Sequence, residues 1–455
     1  MTPRRLLLAG TFGSVLLTLG ATGVGALPPA GLDLLRGQSE LALALCLLGL
    51  ALLCAAWWAL RCGSARELLA AAGLWSLPLL LAPPLASRDA FAYVGQGALV
   101  AGGLNPYDVG PGALPGPLTD GVDDVWRDTP SPYGPLWLAL SGLVVRATGS
   151  IVPALLGMRL LAVLGLLLLA WALPRMAVRH GVPPGRALWL GLANPLVLVH
   201  LVGGAHNEAL MIGLMVAGVA VAFTGPTSTG PGTWRLAAAA ALVTGALLVK
   251  VPALAALAYL PLAVPGWGPR IRAAGVVGLS SLVTAVAVTT ASGLGWGWLG
   301  SLDAGRARLS LFSPLTGLGV LLPGGDATLD VVLAAGLLAA VALSGALLLR
   351  ADRLGPVRTL GLTLLAVSLL LPVVQPWYVL WGVVLLAAVS SARTAAALGV
   401  LSLVLVVLIA PSGRNVIRPP LYGVPMILAL GAAAVVLRSR PSPRRVELQG
   451  NHPAS

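Results

Sequence analysis

Charge is scarce in this chain. Asp, Glu, Lys and Arg make up 9% of 455 residues, where a soluble domain carries about 25%. That excludes an ordinary soluble enzyme. Acids are rarer still, at 15, and of the 28 basic residues only Lys250 is a lysine. There are 3 cysteines. Cys46, Cys54 and Cys62 lie in or at the end of one apolar segment, without CxxC or metal spacing, and read as small apolar fillers. No His/Cys metal cluster, Walker loop, GxSxG turn or dinucleotide fingerprint stands where it would work. The net charge of +13 does not imply nucleic acid, because the basic residues are scattered between apolar runs rather than gathered on one face.

What is abundant is apolar surface. Hydrophobic residues make up 58% of the chain and mean hydropathy is +0.93. Apolar runs recur from end to end, which indicates an all-α polytopic membrane protein, a single transmembrane domain over 1–455. We place spans near 6–26, 41–60, 68–85, 151–173, 187–203, 208–224, 235–249, 251–266, 273–291, 328–349, 359–374, 377–391, 394–410 and 421–437, about 14 in all. The N-terminus has the basic start, apolar run and small-residue end of a signal peptide, and either reading leaves residue 28 outside. Segment 135–149 is short, bears Trp137 and contains Arg146. If it lies along the interface or re-enters, the cytoplasmic side holds 18 basic residues and 3 acids, and the outer side 10 and 12. If it crosses, every later loop flips and 14 arginines move outside, against the positive-inside rule. The stretch 86–150 is therefore expected to be an extracytoplasmic loop with juxtamembrane helices, in the cell membrane.

The polar groups fall mainly on that outer side. In "LAPPLASRDAFAYVGQG", Asp89 ends an apolar run beside Arg88. A carboxylate there serves as a general base, with Arg88 keeping it ionised and Tyr93 four residues on along the same helical face. The bland alternative is an interface anchor. The loop "VDDVWRDTPSPYGP" brings Asp120, Asp123, Asp124, Asp128 and Tyr133. Its acids read as a solvated face before a hard-metal site, and its length suits a site or lid. In "GGAHNEAL", Asn207 and Glu208 suit a helix start, which leaves His206 unexplained; hydroxyl recognition by His206 and Asn207 is the alternative. Lys250, Arg306, Arg308, Arg414 and Arg418 break the positive-inside pattern and suit a lipid-linked phosphate, or else snorkel to headgroups. In "VVQPWYVLW", Gln375 and Tyr378 line a site or join an aromatic belt.

Together, "SRDAFAYVGQGALVAGGLNPYDVGP", "VWRDTPSPYGPLW", "NPLVLVHLVGGAHNEALM", "LLVKVPA" and "PVVQPWYVLW" resemble the actinobacterial α-1,6-mannosyltransferases of the GT-C glycosyltransferases, over roughly 80–390. Those enzymes build the mannan core of lipomannan and lipoarabinomannan. The chain departs from that pattern in having Asp89-Ala90 where many GT-C enzymes have paired acids, and Asn207-Glu208 where the close family has Asn-Asp. The resemblance implies a GT-C-type fold, a polyprenyl-phosphate-mannose donor, a lipid-anchored mannoside acceptor and membrane lipids as partners. It makes Asp89 the catalytic base. Lys250, Arg306 and Arg308 bind the donor phosphate. Arg88, Tyr93, Tyr133, His206, Asn207, Glu208, Gln375 and Tyr378 bind sugar or acceptor. Cations then neutralise the leaving phosphate with no metal and no other cofactor. Two alternatives stand beside it. One is a GT-C transferase of another sugar or linkage, arabinosyl or α-1,2-mannosyl. The other is a lipid-linked-sugar flippase, against which stand the lack of an internal repeat and the one-sided polar groups.

Overall fold

A computed structural model describes residues 2–27, 33–225, 230–300, 310, 312–413 and 421–439. Its regular elements are all helices; no strand is present among the described residues. Five helices are long and apolar enough to cross a bilayer: Pro3–Val24, Ser39–Cys62, Ile151–Arg179, Trp267–Ser292 and Gly325–Leu349. The chain is thus an all-α polytopic membrane protein. The remaining apolar helices are shorter, at 10–17 residues. The expected figure of about 14 therefore counts several half-length and broken helices as spans.

Proline causes most of the breaks, because it removes a backbone donor and clashes with the preceding turn. The reading of one span over 187–203 gives way to a helix Pro184–Gly191 and a π-helical turn Val197–Gly203, with Pro195 between them. Asn194 ends the first piece, accepting from the Leu196 N–H at 2.9 Å and donating to Ser402 at 2.8 Å. The turn then meets helix Glu208–Phe223 at 114°. The single span at 251–266 is likewise a series of short turns broken at Pro252 and Pro261. The 135–149 segment forms helix Pro135–Thr148. Its 14 residues reach about 21 Å, short of a hydrocarbon core of about 30 Å.

Helix Ile151–Arg179 packs along Glu208–Phe223. Small residues allow the approach. A Cβ at Gly165 would overlap the Ala209 backbone, and one at Gly213 would meet the backbone of Gly165. Trp57 and Trp189 staple a second contact: their rings stack at 4.5 Å and each indole N–H donates to the other's carbonyl, at 2.7 and 2.9 Å. By contrast, only 11% of the Trp267–Ser292 and Gly325–Leu349 spans is buried, so both present apolar surface to lipid.

Candidate active site

Three of four breaks in the helices line one cavity of about 1370 Å³, and the other stands directly behind it. The first is the turn 81–88. Pro83 and Pro84 end the preceding helix, and Asp89 opens helix Asp89–Ala101, its N–H bonded to Ser87 Oγ at 3.0 Å. A carboxylate at a helix N-terminus is favoured by the helix dipole. The second break, 204–207, carries His206 and leads into Glu208. The third, 248–250, carries Lys250. It is tied to Tyr133 by backbone bonds from Gly134 N–H to Val249 and Leu136 N–H to Leu248, at 3.3 and 3.1 Å. Only glycine fits at 134, because a Cβ would overlap Leu248. The fourth, 371–379, carries Gln375, Trp377 and Tyr378, and Ser310 buttresses it by accepting from Val374 N–H at 3.0 Å.

These side chains form a connected network. Asp89 Oδ2 lies 3.5 Å from His206 Nδ1, which lies 3.9 Å from Glu208 Oε2. Glu208 Oε1 accepts from the Lys250 ammonium and from Trp377 Nε1, the latter at 3.1 Å. Lys250 sits over the Tyr378 ring at 4.6 Å and near the Tyr133 ring at 5.7 Å. His206 packs on Trp377 with ring centroids 4.0 Å apart, and His200 stacks on the same indole at 4.9 Å.

Access separates two layers. The Asp89 carboxylate is 23% exposed and the Lys250 side chain 15%. Asp89, Lys250, Tyr133, Gln375, Trp377 and Tyr378 face the cavity. His206 and Glu208 are fully buried, Asn207 is 1% exposed, and none of the three lines the cavity. Expected as sugar contacts, they stand one layer behind it. Asn207 occupies the expected helix start, but its side chain makes no capping bond. Tyr93 is also fully buried, edge-on to Tyr133 at 5.3 Å and Trp137 at 5.0 Å, and supports the wall rather than facing the cavity.

Arg88 lines the cavity but forms no ion pair with Asp89 among the described residues. Its guanidinium donates to the Gly121 carbonyl at 2.9 Å and lies over Phe91. The expectation that Arg88 keeps Asp89 ionised is corrected. Burial, and then repulsion from Glu208, push the Asp89 carboxyl up to about 6, with Lys250 only partly opposing them. Arg306 and Arg308, with Arg414 and Arg418, lie outside the described residues. Their described neighbours Ser310 and Gly413 line the cavity. Asp120, Asp123, Asp124, Trp126 and Arg127 rim it. No group of three His, Cys, Asp or Glu side chains is gathered for a metal among the described residues. Trp377 is not among the residues expected from the sequence, because a Trp beside a Pro reads as an interface anchor. Its 4% exposure and its bond to Glu208 set it in the site instead.

The fold and this network define a class: a polytopic membrane protein with a carboxylate and a lysine meeting in one polar cavity. Residues 7–266 match the family described as alpha-(1->6)-mannopyranosyltransferase, N-terminal domain, and residues 309–439 match an MptB C-terminal domain. The chain is 38% identical to a probable alpha-(1->6)-mannopyranosyltransferase of Mycolicibacterium smegmatis, over 85% of this chain and 79% of that one. It is 36% identical to an alpha-(1->6)-mannopyranosyltransferase of Mycobacterium tuberculosis, over 84% and 78%. It is 31% identical to alpha-(1->6)-mannopyranosyltransferase B of Corynebacterium glutamicum, over 84% and 72%. No solved structure matches the chain. The chain belongs to the actinobacterial α-(1→6)-mannopyranosyltransferase family.

Proposed function

We propose that the protein is an inverting α-1,6-mannosyltransferase that takes mannose from polyprenyl-phosphate mannose and adds it to a lipid-anchored mannoside. The observation that carries this reading is the meeting of Asp89 and Lys250 on one cavity, linked through His206 and Glu208. Asp89 removes the proton from an acceptor hydroxyl as its oxygen attacks the anomeric carbon. The bond from that carbon to the phosphate oxygen breaks, and its electron pair leaves with the polyprenyl phosphate. A β-linked donor thereby becomes an α-linked product. Lys250 meets the phosphate as its charge grows, and a preorganised cation is worth most in a water-poor site. In this reading Arg306 and Arg308 assist it, and Tyr133, Gln375 and Tyr378 contact sugar.

The excess of basic residues in the loops on the opposite side, 18 against 10, supports placing the cavity on the extracytoplasmic face of the cell membrane, away from nucleotide sugars. The test is direct. Wild type with labelled polyprenyl-phosphate mannose and a short mannoside yields an α-1,6-linked product, while Asp89→Asn folds yet loses at least about a thousandfold in rate. An active Asp89→Asn protein removes that residue from the mechanism. Movement of labelled lipid across liposomes without acceptor favours a flippase instead.

A further inference from the structure

We propose that Arg159 is a positioning residue for transfer: it binds together the two backbone turns that carry Asp89 and the His206–Glu208 pair. This rests on the mannosyl-transfer reading of the cavity. Arg159 lies on helix Ile151–Arg179, is 2% exposed, and forms no ion pair with an acid among the described residues. A charged group inside a membrane bundle is costly and marks a function by default. Here it is held by carbonyls. Nη1 donates to Leu80 O at 3.3 Å and Nη2 to Gly203 O at 3.1 Å. Leu80 and Gly203 are the last residues of their helices. Their carbonyls lack intrahelical partners and carry the negative end of each dipole. One guanidinium fork therefore joins two helix ends.

Chemistry begins a few residues beyond each end. The chain from Leu80 reaches Asp89, and the chain from Gly203 reaches His206 and Glu208. Gly203 O also accepts from Leu85 N–H at 3.1 Å, so the two turns are laced directly as well. Among the described residues, the non-glycine residues with positive φ are Ala86 at 58° and Ala205 at 54°, one in each turn. Such backbone persists only where its surroundings over-determine it, and it gathers at functional sites. Ala86 N–H bonds Pro411 O at 2.9 Å, and Gly204 leaves no room for a Cβ against Leu85 O. Arg159 does not line the cavity, so it acts through these turns and not on substrate.

The test uses Arg159→Met and Arg159→Lys in the full chain, purified in lipid nanodiscs. Rates with polyprenyl-phosphate mannose and a dimannoside are normalised to folded protein. Arg159→Met is expected to lose about tenfold to a hundredfold in kcat, as a small misplacement of reacting groups does, with donor KM within about threefold. Arg159→Lys keeps a donor and recovers part of the loss. The acid limb of the rate profile should fall from about 6 toward the ordinary carboxylate range as Asp89 loosens into solvent. Wild-type kcat and limb in folded Arg159→Met would overturn the proposal. So would failure of both variants to fold, which makes Arg159 a residue of the fold alone. A wild type without mannosyl transfer sinks the reading of the site itself, and this proposal with it.

Discussion

Asp89 works against its surroundings. Burial and Glu208 raise its carboxyl to about 6, yet in the proposed role of general base it must be ionised. The consequence is an acid limb: kcat/KM should climb about tenfold per pH unit below about 6 and level off above it. A profile flat from about pH 5 to pH 7 would contradict this. Glu208 is the second pressure point, since it is fully buried and accepts from both Lys250 and Trp377. Glu208→Gln strands a largely buried ammonium, and breaking such a pair costs about 3–5 kcal/mol. Adding Lys250→Met should return part of that stability but no activity, a non-additivity that a double-mutant cycle in thermal unfolding measures. Both residues were visible in the sequence, in separate motifs 42 positions apart. Local spacing cannot reveal a pairing made across two helices, so Glu208 read as a helix start or a sugar contact and Lys250 as a phosphate-binding cation.

Helix order was more legible than helix integrity. Hydrophobic runs mark where chain enters the bundle, because burial in lipid needs only composition and length. They do not mark where a run is split. The pieces around Asn194-Pro195, Pro252 and Pro376 form because neighbours satisfy the freed backbone groups, which is a tertiary matter. Glycine divides the same way. At Gly165 a side chain would collide with the Ala209 backbone, so Gly165→Leu should part the two packed helices and cost at least about 3 kcal/mol. At Gly278, on the lipid-facing Trp267–Ser292 helix, nothing lies within 4 Å of a Cβ. There Gly278→Ala should raise stability by up to about 1 kcal/mol through helix propensity alone. Thermal unfolding of the two variants in one detergent separates these cases; equal shifts would mean that the Gly165 contact is not tight.

Across the whole molecule, the cavity is shared between the two matched regions. Asp89, Tyr133 and Lys250 come from residues 7–266, and Gln375, Trp377 and Tyr378 from 309–439. Its volume of about 1370 Å³ exceeds the 300–1,000 Å³ of ordinary small-molecule sites. That room suits a glycan of several units beside the donor, and binding energy from remote units is spent on the reacting centre. A trimannoside should therefore exceed a monomannoside in kcat/KM by at least about tenfold; equal values would mean that only the terminal sugar is held. The sequence by itself determined the membrane class, the sparse polar groups and the family, because each depends on composition or on short contiguous motifs. Only the tertiary structure decided which polar groups face the cavity and which stand behind them. Tyr93, Asn207 and Glu208 are as polar on paper as Tyr133, Gln375 and Tyr378. Facing depends on where helices break and cross, and those angles are set by packing and backbone hydrogen bonds between residues far apart in the chain.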